Sequence, residues 1–253
     1  MIHILLLVPV WLCWGSFLNV LAYRLVREQN IAKPRSRCPF CNQQLRWYDN
    51  IPIISWLILK GRCRSCHHPI SILYPIIEIL TAIIMTFLII LVPPRYISAY
   101  FILFSALIVT IRSDIETMLI SQYMTLFIIP TGLVCSYFGL LPVSLWQSIT
   151  GSIFAYLFLW TIANLFLWLT GKRGMGDGDF ELLALIGAFL GVKGAWYTLM
   201  LASTAGSFIG ISLILFGHAS RNTKIPFGPM LACAAIIYTL LKYVPICLVC
   251  FAH

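Results

Sequence analysis

Long apolar runs separated by short polar interruptions make up most of this chain. They fall at about residues 2–23, 72–92, 96–111, 118–141, 145–170, 180–190, 195–216 and 227–249. A helix needs about 20 apolar residues to cross a hydrocarbon core, and most of these runs approach or exceed that length. The run at 180–190 is too short to span alone, and it predicts a half-length helix followed by a full one at 195–216. Pro93-Pro94-Arg95 turns the chain between the second and third runs, and Pro142 breaks it between the fourth and fifth. Only residues 24–71 form a long polar stretch. The pattern predicts an all-α integral membrane protein with about eight transmembrane segments: a first anchor over 1–23, a polar insert over 24–71 and a polytopic helical domain over 72–253.

Composition agrees with that reading. The chain is 60% hydrophobic and 10% charged, with a mean hydropathy of +0.93, which excludes an ordinary soluble globular domain. A formal charge of +9 would suggest nucleic acid as a partner in a soluble protein. Here nine of the 17 Lys and Arg residues lie in the insert, and the positive-inside rule accounts for them without any nucleic acid. With the insert placed in the cytoplasm, Arg112, Lys172, Arg173, Arg221 and Lys224 join it on that side, and only Arg95, Lys193 and Lys242 fall elsewhere. The first run has no basic residues before it, while Arg24 and Arg27 follow it, so it reads as a retained anchor with its N-terminus outside.

The insert contains Cys38-Pro39-Phe40-Cys41 and Cys63-Arg64-Ser65-Cys66. Paired C-x2-C knuckles offer four thiolates in the tetrahedral arrangement that Zn2+ prefers, and a cytosolic location keeps them reduced. Cys38, Cys41, Cys63 and Cys66 are therefore the candidate ligands of a structural Zn2+ that would stabilise an insert too small for a core of its own. His67 and His68 read as bystanders. Cys13, Cys135, Cys233, Cys247 and Cys250 lie within or at the ends of spans and need no role beyond that of small apolar residues, with a bond between Cys247 and Cys250 left open.

With only eight acidic residues, each can be weighed. Glu28 reads as a solvated loop charge, and Asp49 sits in the turn-like Trp47-Tyr48-Asp49-Asn50-Ile51-Pro52. Glu78 lies inside an apolar run, where a carboxylate is costly, and is a functional or packing candidate. Asp114 and Glu116 follow the third run, and Asp177, Asp179 and Glu181 open the sixth, all at the same predicted membrane edge. Two carboxylates held together in a partly desolvated site do not ionise together easily, so one can activate water while the other donates a proton. In Gly174-Met175-Gly176-Asp177-Gly178-Asp179 the alternate glycines allow tight turning near a substrate strand. No strand precedes this element and no G-K-[ST] is present, so a nucleotide loop is a poor reading. A Gly-x-Gly-Asp pattern ends equally well at Asp177 or at Asp179.

Taken together, four stretches resemble the type IV prepilin peptidase family: Gly15-Ser16-Phe17-Leu18-Asn19-Val20 running on to Tyr23-Arg24, the cysteine insert with its Trp-Tyr-Asp-Asn-Ile-Pro, Tyr74-Pro75-Ile76-Ile77-Glu78, and residues 174–183. The resemblance implies an aspartic endopeptidase of the Gly-x-Gly-Asp membrane type in the bacterial inner membrane, in contact with lipid. Its substrates would be prepilins or pseudopilins of type IV pilus and type II secretion systems, cut after a glycine that ends a short basic leader, at the cytoplasmic face. In many members the new N-terminal residue is then methylated with S-adenosylmethionine. The family places its second catalytic aspartate before an apolar residue and a Leu-Leu pair, which assigns Asp179, and its first corresponds to Asp114.

The chain departs from the family at three places. Ile120-Ser121-Gln122 stands where Leu-Pro-Asp is common, Glu181 stands where a lysine is usual, and Leu25-Val26 replaces a usual Leu-Pro. None of these removes a catalytic carboxylate. The rival readings are a peptidase without methyl transfer and a cation- or proton-coupled transporter with a broken helix. The transporter leaves the tetracysteine insert unexplained.

Overall fold

The computed structural model describes residues 2–31, 35–216 and 225–251. The basic loop read at 218–224 lies outside the described residues, as do the side chains of Cys247 and Cys250. Among the described residues the structure is helical, and the only β pairings are two isolated bridges in the insert. The chain forms two compact units, Met1–Ile90 and Leu91–His253.

The first unit contains α1 (Ile2–Val26), the cysteine insert with a short helix α2 (Ile54–Ile58), and α3 (Leu73–Leu91). Gly15 lets α1 approach α3 closely, since a Cβ there would stand 2.9 Å from the Glu78 Cα and 3.0 Å from the Thr81 side chain. Asn19 Nδ2 donates to the Tyr74 carbonyl at 3.1 Å and adds a polar tie to the same contact. Glu78 is buried, and its Oε2 accepts from the Ile53 backbone N–H at 2.8 Å. Ile53 has φ 61°, an unfavourable region for a β-branched residue. The acid near the start of α3 therefore anchors a strained residue of the insert.

The second unit holds α4 (Pro94–Thr117), α5 (Ile129–Tyr137), α6 (Leu145–Thr170), α7 (Asp177–Leu215) and α8 (Gly228–Phe251). Pro94 starts α4, and a left-handed Met118 ends it by donating its N–H to the Asp114 carbonyl at 2.9 Å. Ser144 and Gln147 form a reciprocal capping box at the start of α6, and left-handed Gly171 closes its other end. Helices α6 and α7 cross with backbones in contact. A Cβ on Gly151 would lie 2.8 Å from the Gly191 backbone, and Ser148 Oγ donates to the Ala188 carbonyl across the crossing.

All eight apolar runs are present, with two changes of form. The fourth is broken: after Met118 come a single 3-10 turn, Gln122–Met124, and then α5, which has 9 residues. The sixth and seventh are joined into the 39-residue α7, kinked where Gly191 takes φ 71°. Among the described residues five helices are long and apolar enough to cross a membrane, and the part of α8 over Gly228–Val244 is a shorter apolar one. Every residue of α7 from Asp179 to Gly191 is buried, whereas α6 exposes Trp160, Leu165 and Trp168, as expected of a helix facing lipid.

Candidate functional site

Three helix ends meet at one end of the second unit. Asp114 sits in the last turn of α4, Asp179 in the first turn of α7, and Gly228 opens α8. The Gly228 N–H donates to Asp114 Oδ2 at 3.0 Å. Asp114 is 5% and Asp179 9% exposed, and they lie close enough for the charge on one to act on the other. Neither has a Lys or Arg ion-pair partner among the described residues. An N–H donor satisfies part of one carboxylate, and two buried acids side by side otherwise share one proton more easily than they carry two charges.

The neighbouring acids are placed differently. Glu116 pairs with Arg112 one turn away on α4, and Asp177 is exposed at the start of α7. Glu181 is 7% exposed and accepts hydrogen bonds from Gln122 and Thr125. The glycines around the aspartates are needed for space. A Cβ on Gly178 would lie 2.8 Å from the Ile120 Cβ, and one on Gly228 would lie 2.7 Å from Asp114 Oδ2 and 3.1 Å from Ile120 Cδ1. Gly228 escaped the sequence reading, although a glycine directly before Pro229 at a helix start was a usable signal. We expect Gly228→Ala to displace the Asp114 carboxyl and lower any activity that depends on it by about a hundredfold, the usual cost of misplacing a reacting group by an ångström. Measured turnover within twofold of the parent would show that the contact is dispensable.

The second cluster belongs to the insert. The sulfurs of Cys38, Cys41, Cys63 and Cys66 all lie within 4.8 Å of one another, and those of Cys38 and Cys66 are 3.7 Å apart. Sulfurs bound tetrahedrally at about 2.3 Å from a metal are about 3.8 Å apart, so the donor set fits a zinc ion. Both knuckles repeat one backbone design. Asn42 and His67 are left-handed, their N–H groups donate to the carbonyls of Cys38 and Cys63, and the bridges Arg37–Gln44 and Arg62–Pro69 close the two loops in the same register. Backbone N–H groups of Cys66 and Ser65 aimed at the Cys63 sulfur lower the pKa of its thiol to about 7, which favours a thiolate ligand. The two histidines are not in the cluster, and His68 stacks on Phe40. Asp49 is bound by Arg64 Nη2 at 2.7 Å, an ion pair that ties the segment between the knuckles to the second knuckle. Trp47 is 80% exposed beside Tyr48.

Comparison with known proteins bears on both clusters. The model of the bacterial peptidase A24 N-terminal domain matches residues 10–92, and that of the type IV leader peptidase family matches residues 101–215. A prepilin leader peptidase/N-methyltransferase of Aeromonas hydrophila is 38% identical over 248 residues, covering 88% of this chain and 85% of that protein. Proteins of the same description from Pseudomonas aeruginosa, at 34% over 256 residues, and Burkholderia pseudomallei, at 34% over 244 residues, cover 88% and 86% of this chain and 85% and 79% of their own lengths. No solved structure matches the fold. The matched models take in most of α1, the tetracysteine insert, α3, the positions of both aspartates and α7, and the chain belongs to the type IV leader peptidase family.

Proposed function

We propose that this chain is a prepilin peptidase of the bacterial inner membrane that removes the short basic leader of type IV pilin-like precursors after a glycine, at the cytoplasmic face. The observation that carries this reading is the pair of buried carboxylates, Asp114 and Asp179, brought together from the ends of two helices without a basic partner among the described residues. In the mechanism one ionised aspartate takes a proton from water, whose oxygen attacks the scissile carbonyl. The other aspartate, protonated, donates to the carbonyl oxygen and later supports proton delivery to the leaving amine. The Gly228 N–H keeps Asp114 oriented while the proton moves. The orientation is supported by charge: 14 of 17 basic residues fall on the cytoplasmic side of the topology that puts both aspartates there.

The relatives' description also names N-methyltransferase, and we extend that activity to this chain. S-adenosylmethionine would supply an electrophilic methyl group to the new terminal amine. Trp47, exposed beside the Arg46 and Tyr48 pair, would hold its adenine or sulfonium by stacking. Methyl transfer requires an oriented amine and a bound donor but no carboxylate pair, so it separates from cleavage. Coexpression with a pilin precursor tests both steps, read by leader loss and by the mass of the mature N-terminus. A cleaved, methylated product is expected. An uncut precursor refutes the peptidase, and a cut but unmethylated one limits the chain to proteolysis.

A further inference from the structure

The cleavage mechanism leaves one buried acid of the site unused. Both carboxylate oxygens of Glu181 are engaged by a single short segment: Gln122 Nε2 donates to Oε1 at 3.1 Å, and Thr125 Oγ1 donates to Oε2 at 2.8 Å. Thr125 is fully buried at 0% exposure. Two residues along a helix are about 200° apart around its axis, so Glu181 projects from a different face of α7 than Asp179 does. It can reach the aspartates only through what it grips.

What it grips begins at the left-handed Met118 that ends α4, and Ile120 follows closely. Ile120 touches the residues that flank the aspartates on both sides. It lies against Gly178, the residue before Asp179, and against Gly228, the residue that donates to Asp114. A Cβ on Gly178 would clash with the Ile120 Cβ at 2.8 Å and one on Gly228 would crowd the Ile120 Cδ1 at 3.1 Å, so the fit is close on both sides. A shift of this segment therefore moves Ile120 relative to both carboxyl groups. The segment itself is one 3-10 turn and irregular chain, with no long helix to hold it.

We propose that Glu181 is a positioning residue for the aspartate pair: by holding Gln122 and Thr125 it keeps Ile120 seated between Gly178 and Gly228 and so fixes the spacing of Asp114 and Asp179. The proposal rests on the protease reading of those two aspartates. Gln122 and Glu181 are joined across the site by one hydrogen bond, with the amide as donor and the carboxylate as acceptor.

The test uses the purified full-length chain and a pilin precursor, with kcat and KM measured separately. Thr125→Val removes one hydroxyl with little change of shape and should lower kcat about tenfold while KM stays within about twofold, whereas Thr125→Ser, which keeps the hydroxyl, should match the parent. Gln122→Asp sets two acids against each other and should lower kcat at least as far. The double variant Gln122→Asp/Glu181→Lys restores a donor opposite an acceptor and should recover most of the lost rate, a coupling that independent structural damage would not produce. Parental kcat in Thr125→Val, an effect on KM alone, or a double variant no faster than Gln122→Asp overturns the proposal. Asp179→Asn, run alongside, separates the two ideas. If it cleaves, the protease assignment itself fails; if it is inactive while Thr125→Val is unimpaired, only the positioning role fails.

Discussion

Asp114→Asn and Asp179→Asn are each expected to lower precursor cleavage by about a thousandfold or more, since each removes one half of an acid–base pair whose members contribute on that scale. The amide is nearly the same size as the acid, so the helix ends should keep their packing and the protein its place in the membrane. In Asp114→Asn the amide oxygen can still accept from the Gly228 N–H, which makes the substitution a test of proton chemistry more than of architecture. Asp177→Asn is the matched control. Asp177 is exposed in the same turn of α7 and equally close to the glycines, so a general electrostatic requirement at this helix start would make it as damaging as Asp179→Asn. Leader removal scored by gel mobility shift, with membrane levels of each variant measured in parallel, decides the matter. Full processing by either Asp114→Asn or Asp179→Asn would end the aspartic protease assignment.

How much of this could be read before the fold was known depends on the range of each interaction. Helix positions were legible because hydrophobic length is a local property, and α6 runs from Leu145 to Thr170 as its apolar run does. The half-length segment at 180–190 was legible too, but its union with the next run across a kink at Gly191 was not. An apolar run buried all round carries no periodic mark of where its axis bends. The broken fourth run misled for a related reason. Residues 118–128 are apolar enough for a span, yet left-handed Met118 and the grip of Glu181 on Gln122 and Thr125 hold them as irregular chain. The aspartates stood out as rare acids beside glycines. Their supports did not: Gly228 acts on Asp114 from 114 residues away, and Ile120 looks like any other apolar residue until two glycines are seen to need its space. Glu78 stands out as a costly acid in an apolar run, but one of its partners is a backbone N–H of a strained isoleucine, which no side-chain pattern announces.

The insert should bind about one Zn2+ per chain, and losing it should have the largest effect on stability of any change outside the membrane helices. The structural basis is the small amount of apolar burial in the insert, which is otherwise tied by a few polar contacts such as Arg64 with Asp49 and the Ile53 N–H with Glu78. Within residues 35–71 Cys38 and Cys63 are the buried apolar side chains, whereas Phe40, Trp47, Leu57 and Ile58 are all more than half exposed. A structural zinc site contributes on the order of 10 kcal/mol, and a segment of this size rarely has more than a few kcal/mol from its own packing. Cys63→Ser should therefore unfold both knuckles together, because its sulfur receives the Cys66 and Ser65 N–H groups and sits within 4.8 Å of the other three. Protease susceptibility within residues 35–71 should rise on chelation and fall again on adding zinc. Methylation should be lost with it, since Trp47 and Tyr48 lie between the knuckles, while the aspartate chemistry of the second unit should decline less. Elemental analysis finding no metal in a folded insert whose four thiols all alkylate freely would refute the zinc assignment. Cleavage abolished outright in a Cys63→Ser chain that remains folded would instead make the insert part of the protease site.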